Sequence, residues 1–109
     1  MQDKITQLFK AIADPKRREI FHALVFASSA LSITQIANQF EISRQGVTKH
    51  IKCLENVGLI HLESHGRERY CSANAKPLQD LNKWLKFYEK FWNNTLNDLD
   101  SYLNSSKNG

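Results

Sequence analysis

A chain of 109 residues, 41% hydrophobic and 24% charged, has the makeup of one small globular domain and lacks the apolar run of ~20 residues that a membrane span needs. Two cysteines are too few for a disulfide scaffold and no signal peptide is recognisable, so a reduced protein of the cytoplasm is expected. The net charge of +4 favours polyanionic partners, and it is concentrated: residues 1–76 hold 11 Lys/Arg against 7 Asp/Glu, whereas residues 77–103 hold 3 against 4.

Residues 3–13, DKITQLFKAIA, put Ile5, Leu8, Phe9 and Ile12 on one helical face. Asp14 and Pro15 then supply an N-cap and a proline suited to a first helical turn. The helix that follows, KRREIFHALVFA, carries Ile20, Phe21, Leu24 and Val25 as a stripe for burial. SSALS is a short polar break. Ser32 opens a third helix of about seven residues, with Gln35 at capping-box spacing and Ile36, Ala37 and Phe40 pointing inward.

EIS is the next break, and Ser43 is a good N-cap for a fourth helix. Val47, Ile51 and Leu54 are its apolar side, and Gln45, Thr48, Lys49 and Lys52 its polar side, with Arg44 and His50 at the flanks. A short helix, a three-residue turn and a second helix with a polar outer face make a helix-turn-helix over residues 32–57. After Gly58, a natural helix stop, LIHLES and ERYCSA alternate on either side of a tight turn at HGR. That hairpin, residues 59–73, has the position of the wing of a winged helix, with Arg67 at its tip and Arg69 beside it.

Pro77 starts the last helix, read to residue 103 and therefore about 40 Å long at 1.5 Å per residue. Leu78, Leu81, Leu85, Tyr88, Trp92, Thr95, Leu99 and Tyr102 recur at steps of three and four, and Trp84, Phe91, Leu96 and Leu103 widen the stripe. The body that precedes it cannot cover so wide an apolar band, and self-association is the simplest outlet. The tail at 104–109, NSSKNG, reads as disordered.

Four stretches carry a family resemblance: KAIADPKRREIFHAL, LSITQIANQFEISRQGVTKHIKCLENVGLI, GRERYCSANAKPLQDLNKWL and FYEKFW. Together they resemble winged helix-turn-helix repressors of the ArsR/SmtB family over nearly the whole chain, the subgroup being one without the metal-sensing cysteines. The resemblance implies a mainly α fold with a small β-hairpin, in a single domain over residues 1–103. It also implies a homodimer through the N- and C-terminal helices, and repression by binding an imperfect inverted repeat in double-stranded DNA. The residues that would form the dimer interface are Ile5, Leu8 and Phe9 with Leu81, Trp84, Leu85, Tyr88, Phe91, Trp92, Leu96, Leu99 and Tyr102. Ser43, Arg44, Gln45, Thr48, Lys49 and His50 match the positions that face DNA. Gly46 departs from the pattern, which commonly has a small residue such as Ala. It either permits a closer approach to DNA or is neutral.

Base chemistry fits these residues. Arg44 suits the O6/N7 acceptors of guanine, Gln45 the N6/N7 edge of adenine, and Thr48 a thymine methyl. Lys49, Lys52, Arg67 and Arg69 are suited to phosphates, which fix register while base contacts choose sequence. His50 has two readings, a buried hydrogen-bonded histidine or a DNA contact. A protein-interaction module is the other function open to a winged helix, and the cationic sign of the fourth helix argues for nucleic acid instead.

Other chemistry is poorly supplied. His61 and His65 on one strand, with Cys71 across the hairpin, are the one cluster of metal-type donors, and no metal or other cofactor is expected. Cys53 and Cys71 are either a redox pair or ordinary small thiols. The aromatic residues of the last helix line either an effector pocket or a dimer core, and the dimer core is the better reading. No glycine-rich phosphate loop, nucleophile elbow or partnered carboxylate pair points to an enzyme. The sequence names no effector.

Overall fold

The computed structural model describes the backbone of residues 3–108 and the side chains of residues 3–93 and Leu103. Its elements are α1 (Lys4–Ile12), α2 (Pro15–Phe26), β1 (Leu31–Ser32), α3 (Ile33–Phe40), α4 (Arg44–Asn56), β2 (Ile60–His65), β3 (Glu68–Ala73) and α5 (Leu78–Asn108). The chain divides into two compact units, Met1–Gln79 and Asp80–Gly109.

In the first unit each helix begins on a side chain that accepts a backbone N–H left over at a helix start. Asp3 accepts from Thr6 (2.7 Å), Asp14 from Arg17 (3.0 Å), and Ser43 from Gly46 (3.0 Å). Ser32 and Gln35 form the reciprocal box that their spacing predicts: Ser32 Oγ accepts the Gln35 N–H at 3.1 Å, and Gln35 Oε1 accepts the Ser32 N–H at 2.8 Å. The α1–α2 corner is held by two arginines. Arg17 donates to the carbonyls of Lys10 and Ala11, and Arg18 to those of Ile12 and Ala13, so the open carbonyls at the end of α1 are satisfied by the start of α2.

The core of this unit is built from one face of each element. Leu8, Ile20, Val47, Ile51, Leu54 and Leu59 are wholly buried, with Ile36, Ile33 and Ile60 beside them. Val25, expected in the α2 stripe, is 43% exposed, because the buried face of that helix is the narrower line of Ile20 and Leu24. Phe40 is half-buried, with the ammonium of Lys16 5.6 Å from its ring centre.

The sheet has three antiparallel strands in the order β1-β3-β2. The hairpin is as expected, Ile60 opposite Ala73 at its base and His65 opposite Glu68 at its turn. The third strand lies in SSALS, which reads only as a polar break: Leu31 pairs with Cys71 and Ser32 with Tyr70. Two residues are too short for any alternation to be visible.

In the second unit α5 continues through Asn108, over residues 104–108 that the sequence leaves as a disordered tail. Nothing between Leu78 and Asn108 is Gly or Pro, so no residue stops it. Leu81 is buried, but Trp84, Leu85, Tyr88 and Trp92 are 40–46% exposed, and Phe87 and Phe91 at least 70%.

Candidate nucleic-acid interface

The turn between α3 and α4 sets the direction of α4. Glu41 takes a left-handed conformation (φ 55°), and the Ile42 N–H donates back to Ala37 O at 3.2 Å. Such a residue ends α3 within one turn, and Ser43 caps the next helix two positions on. At the other end the N–H of Gly58 donates to Glu55 O and that of Leu59 to Leu54 O, both at 2.9 Å. This pair of bonds requires a left-handed residue just past the helix, and Gly58 supplies it at φ +81°. The helix of 13 residues is therefore fixed at both ends.

Between those ends, Val47, Ile51 and Leu54 are fully buried and lock the rotation of α4. Ser43, Arg44, Gln45, Lys49 and Lys52 are exposed as a consequence. Thr48 is half-buried, and its hydroxyl donates to the carbonyl of Arg44 at 2.8 Å. The methyl and the oxygen lone pairs remain for a ligand, but the hydroxyl proton is already committed within the helix. Gly46 sits under the cap: a Cβ there would lie 3.3 Å from Ser43 Oγ. Glycine thus leaves room for the capping hydroxyl.

His50 matches the first of its two readings only in part. It is half-buried, and its Nδ1 is buried with no hydrogen-bond partner among the described residues. It is near enough to Asp14 to act on it electrostatically. The Asp14 carboxyl is held below its ordinary value first by the Arg17 backbone N–H that it accepts, then by His50 and the Arg17 charge.

In the wing, Gly66 and Arg67 form the two-residue loop between His65 and Glu68, and Arg67 is exposed at the tip. Arg69 is exposed too, opposite Ser64. The turn end of the wing is tied to α3, where Thr34 donates to Glu68 Oε1 at 3.3 Å. The register separates the metal-type donors. His61 and His65 lie opposite Ser72 and Glu68, whereas Cys71 lies opposite Leu62, on the other face of the hairpin. Cys71 is wholly buried, and burial pushes its thiol up to about 11. His65 instead approaches Glu63 at 3.6 Å. No group of three His, Cys, Asp or Glu among the described residues stands close enough to hold a metal ion.

The surfaces expected to meet a second copy are divided. Phe9 is 39% exposed and Ile5 half-buried. Leu8 is 0% exposed and Leu81 6%. Trp84, Leu85, Tyr88, Phe91 and Trp92 are exposed, and Phe87, 74% exposed, joins them. Phe87 falls outside the three-and-four stepping, but its hydrophobicity alone would have placed it beside Trp84 and Phe91 on a wider band. Trp84 and Phe87 both pack on Tyr88, at 5.0 Å between ring centres. The side chains of Leu96, Leu99 and Tyr102 lie outside those described.

A family model described as a helix-turn-helix domain matches residues 12–63. The chain is 33% identical over 95 residues to the transcriptional repressor SdpR of Bacillus subtilis strain 168, covering 87% of this chain and 100% of that one. It is 31% identical over 78 residues to the arsenical resistance operon repressor of the same organism, covering 72% of this chain and 73% of that one. The chain belongs to the ArsR/SmtB family. An ArsR-like transcriptional regulator from Rhodococcus sp. RHA1 agrees in structure, with a TM-score of 0.75 at 26% identity over 94% of this chain and 92% of that one. The winged helix-turn-helix of this ArsR/SmtB protein is thus that of a DNA-binding transcriptional regulator. Among the described residues no helix is long and apolar enough to cross a membrane.

Proposed function

We propose that the protein represses transcription as a homodimer, placing two α4 helices in successive major-groove faces of an inverted-repeat operator about 34–36 Å apart. The observation that carries this reading is the division of α4. Its apolar side is fully covered by its own domain, while Arg44, Gln45, Lys49 and Lys52 remain exposed on a helix capped at both ends.

Arg44 and Gln45, in the first turn, read base edges, and Thr48 presents its methyl to a thymine. Ser43 caps the helix at the groove. Lys49, Lys52 and the wing residues Arg67 and Arg69 hold phosphates. His50 is assigned to positioning α4 against Asp14 rather than to contacting DNA. The dimer forms through the aromatic band of α5, residues 84–92, with Ile5 and Phe9 of α1 contributing. Six large apolar side chains exposed within nine residues are more than a solitary soluble chain commonly leaves in water. The protein has no catalytic role and works in the cytoplasm.

Mapping the DNA fragments that the purified protein protects, with sedimentation of the free protein alongside, tests the reading. The expected result is a protected inverted repeat and a dimer at micromolar concentration. A chain that sediments as a monomer and protects no duplex would overturn it.

A further inference from the structure

We propose that a pocket against the C-terminal half of α4 binds a small organic oxyanion, a carboxylate or phosphate, and is the place where an effector acts. The pocket has a volume of about 330 Å³, at the lower edge of what a small-molecule site needs. Its walls come from three helices and the cap of one: Gln7, Lys10 and Ala11 of α1, Arg17 of α2, Cys53 and Asn56 of α4, and Val57 just past it.

The lining chooses the ligand. Two cations and two amides face it and no carboxylate does, which makes it suited to an anion with several oxygens. One terminal nitrogen of Arg17 is already engaged by the carbonyls of Lys10 and Ala11. Its Nε is buried without a hydrogen-bond partner among the described residues. A buried donor of this kind is uncommon in a folded protein. The carbonyl bonds fix the guanidinium in place, so Arg17 is pre-organised for the ligand.

The position gives the ligand something to act on. Cys53 and Asn56 belong to the helix whose first turn carries Arg44 and Gln45, so a ligand that bridges α1 and α4 bears on the element that presents those residues. The effector role rests on the reading of α4 as the DNA-contacting helix. The binding site does not.

The thiol of Cys53 reports occupancy, because the only other cysteine, Cys71, is wholly buried. The full chain, free of DNA, is alkylated with neutral iodoacetamide or anionic iodoacetate, the sulfur displacing iodide, and the product is weighed by mass spectrometry. Citrate and inorganic phosphate are added separately against sodium chloride of equal ionic strength, to tell a carboxylate from a phosphate. Either anion should slow the labelling of Cys53 about threefold or more. Iodoacetate should lose its rate relative to iodoacetamide by a similar factor in Lys10→Met. Arg17→Met should do the same, and Lys10→Met, on an exposed residue, guards against a fold lost through the α1–α2 corner. The DNA affinity of the wild type, but not of Lys10→Met, should change with the protecting anion.

Equal labelling with and without both anions, and equal rate ratios in wild type and Lys10→Met, would overturn the site. Protection with no change in DNA affinity would overturn the effector role. Weaker DNA binding by Lys10→Met without protection would assign the cations to a DNA phosphate and overturn the site as well. Protection by a chain that binds no DNA at all would leave the site standing and remove the functional reading instead.

Discussion

Helices α4 and α5 are both amphipathic, yet they present opposite faces to the outside. The apolar side of α4 is wholly buried, and its exposed side is made of long hydrogen-bond donors. On α5, Lys83, Lys86 and Lys90 share one exposed side while a broad aromatic band is exposed as well. A face of donors suits a polyanion, with affinity that falls as salt rises. A face of tryptophan, tyrosine and phenylalanine suits another protein surface, with affinity that depends on fit and on excluded water. The difference teaches that amphipathicity alone does not assign a partner; what remains exposed after the domain has covered its own core does.

The comparison breaks most completely if α4 loses its anchor. Ile51→Ala removes a fully buried side chain, and thermal or urea unfolding should record a loss of about 2–5 kcal/mol. A loss near zero would mean that α4 is not locked by its apolar side. On α5, Phe91→Glu places a charge in the aromatic band without touching the core, since Phe91 is 70% exposed. Sedimentation should find dimer dissociation rising about 30-fold or more, with the monomer still folded. An unchanged dimer would move the interface away from α5.

Smaller effects sharpen the contrast. Ser43→Ala removes the cap of α4, so urea unfolding should show about 1 kcal/mol less stability. DNA affinity should fall with it, while the dimer is unaffected. Asp14→Asn keeps a capping oxygen but deletes the charge beside His50 and Arg17. Because the Asp14 carboxyl is held below its ordinary value, its charge stabilises the fold above the ordinary carboxylate pKa, and that contribution is lost as pH falls through the lowered one. The melting temperatures of wild type and Asp14→Asn should therefore differ at neutral pH and converge in acid. A gap that persists in acid would assign the effect to the cap rather than to the charge.

Much of this was legible in the residues. Three buried positions at helical spacing, a serine before them and a glycine after them define α4 and its outer face, because helix period, cap and stop are all local. The wing follows from alternation on either side of Gly66. What escaped was decided at a distance. Strand β1 exists because Leu31 and Ser32 meet the second wing strand, about forty residues later. Cys71 lies on the opposite face of the hairpin from His61 and His65, because register sets which face each residue takes. The hydroxyl of Thr48 is committed to its own helix, a local bond that its spacing of four from Arg44 allows but does not require.

The direct measurement is a paired titration of operator duplex with Arg44→Ala, Gln45→Ala and Lys86→Ala at two salt concentrations. Each of the two α4 substitutions should cost about 1–3 kcal/mol of discrimination between operator and unrelated duplex. Lys86→Ala, on the polar side of α5, should bind as the wild type does. If Lys86→Ala weakens operator binding as much as Gln45→Ala, or if neither α4 change reduces discrimination, the exposed side of α4 is not what reads the DNA.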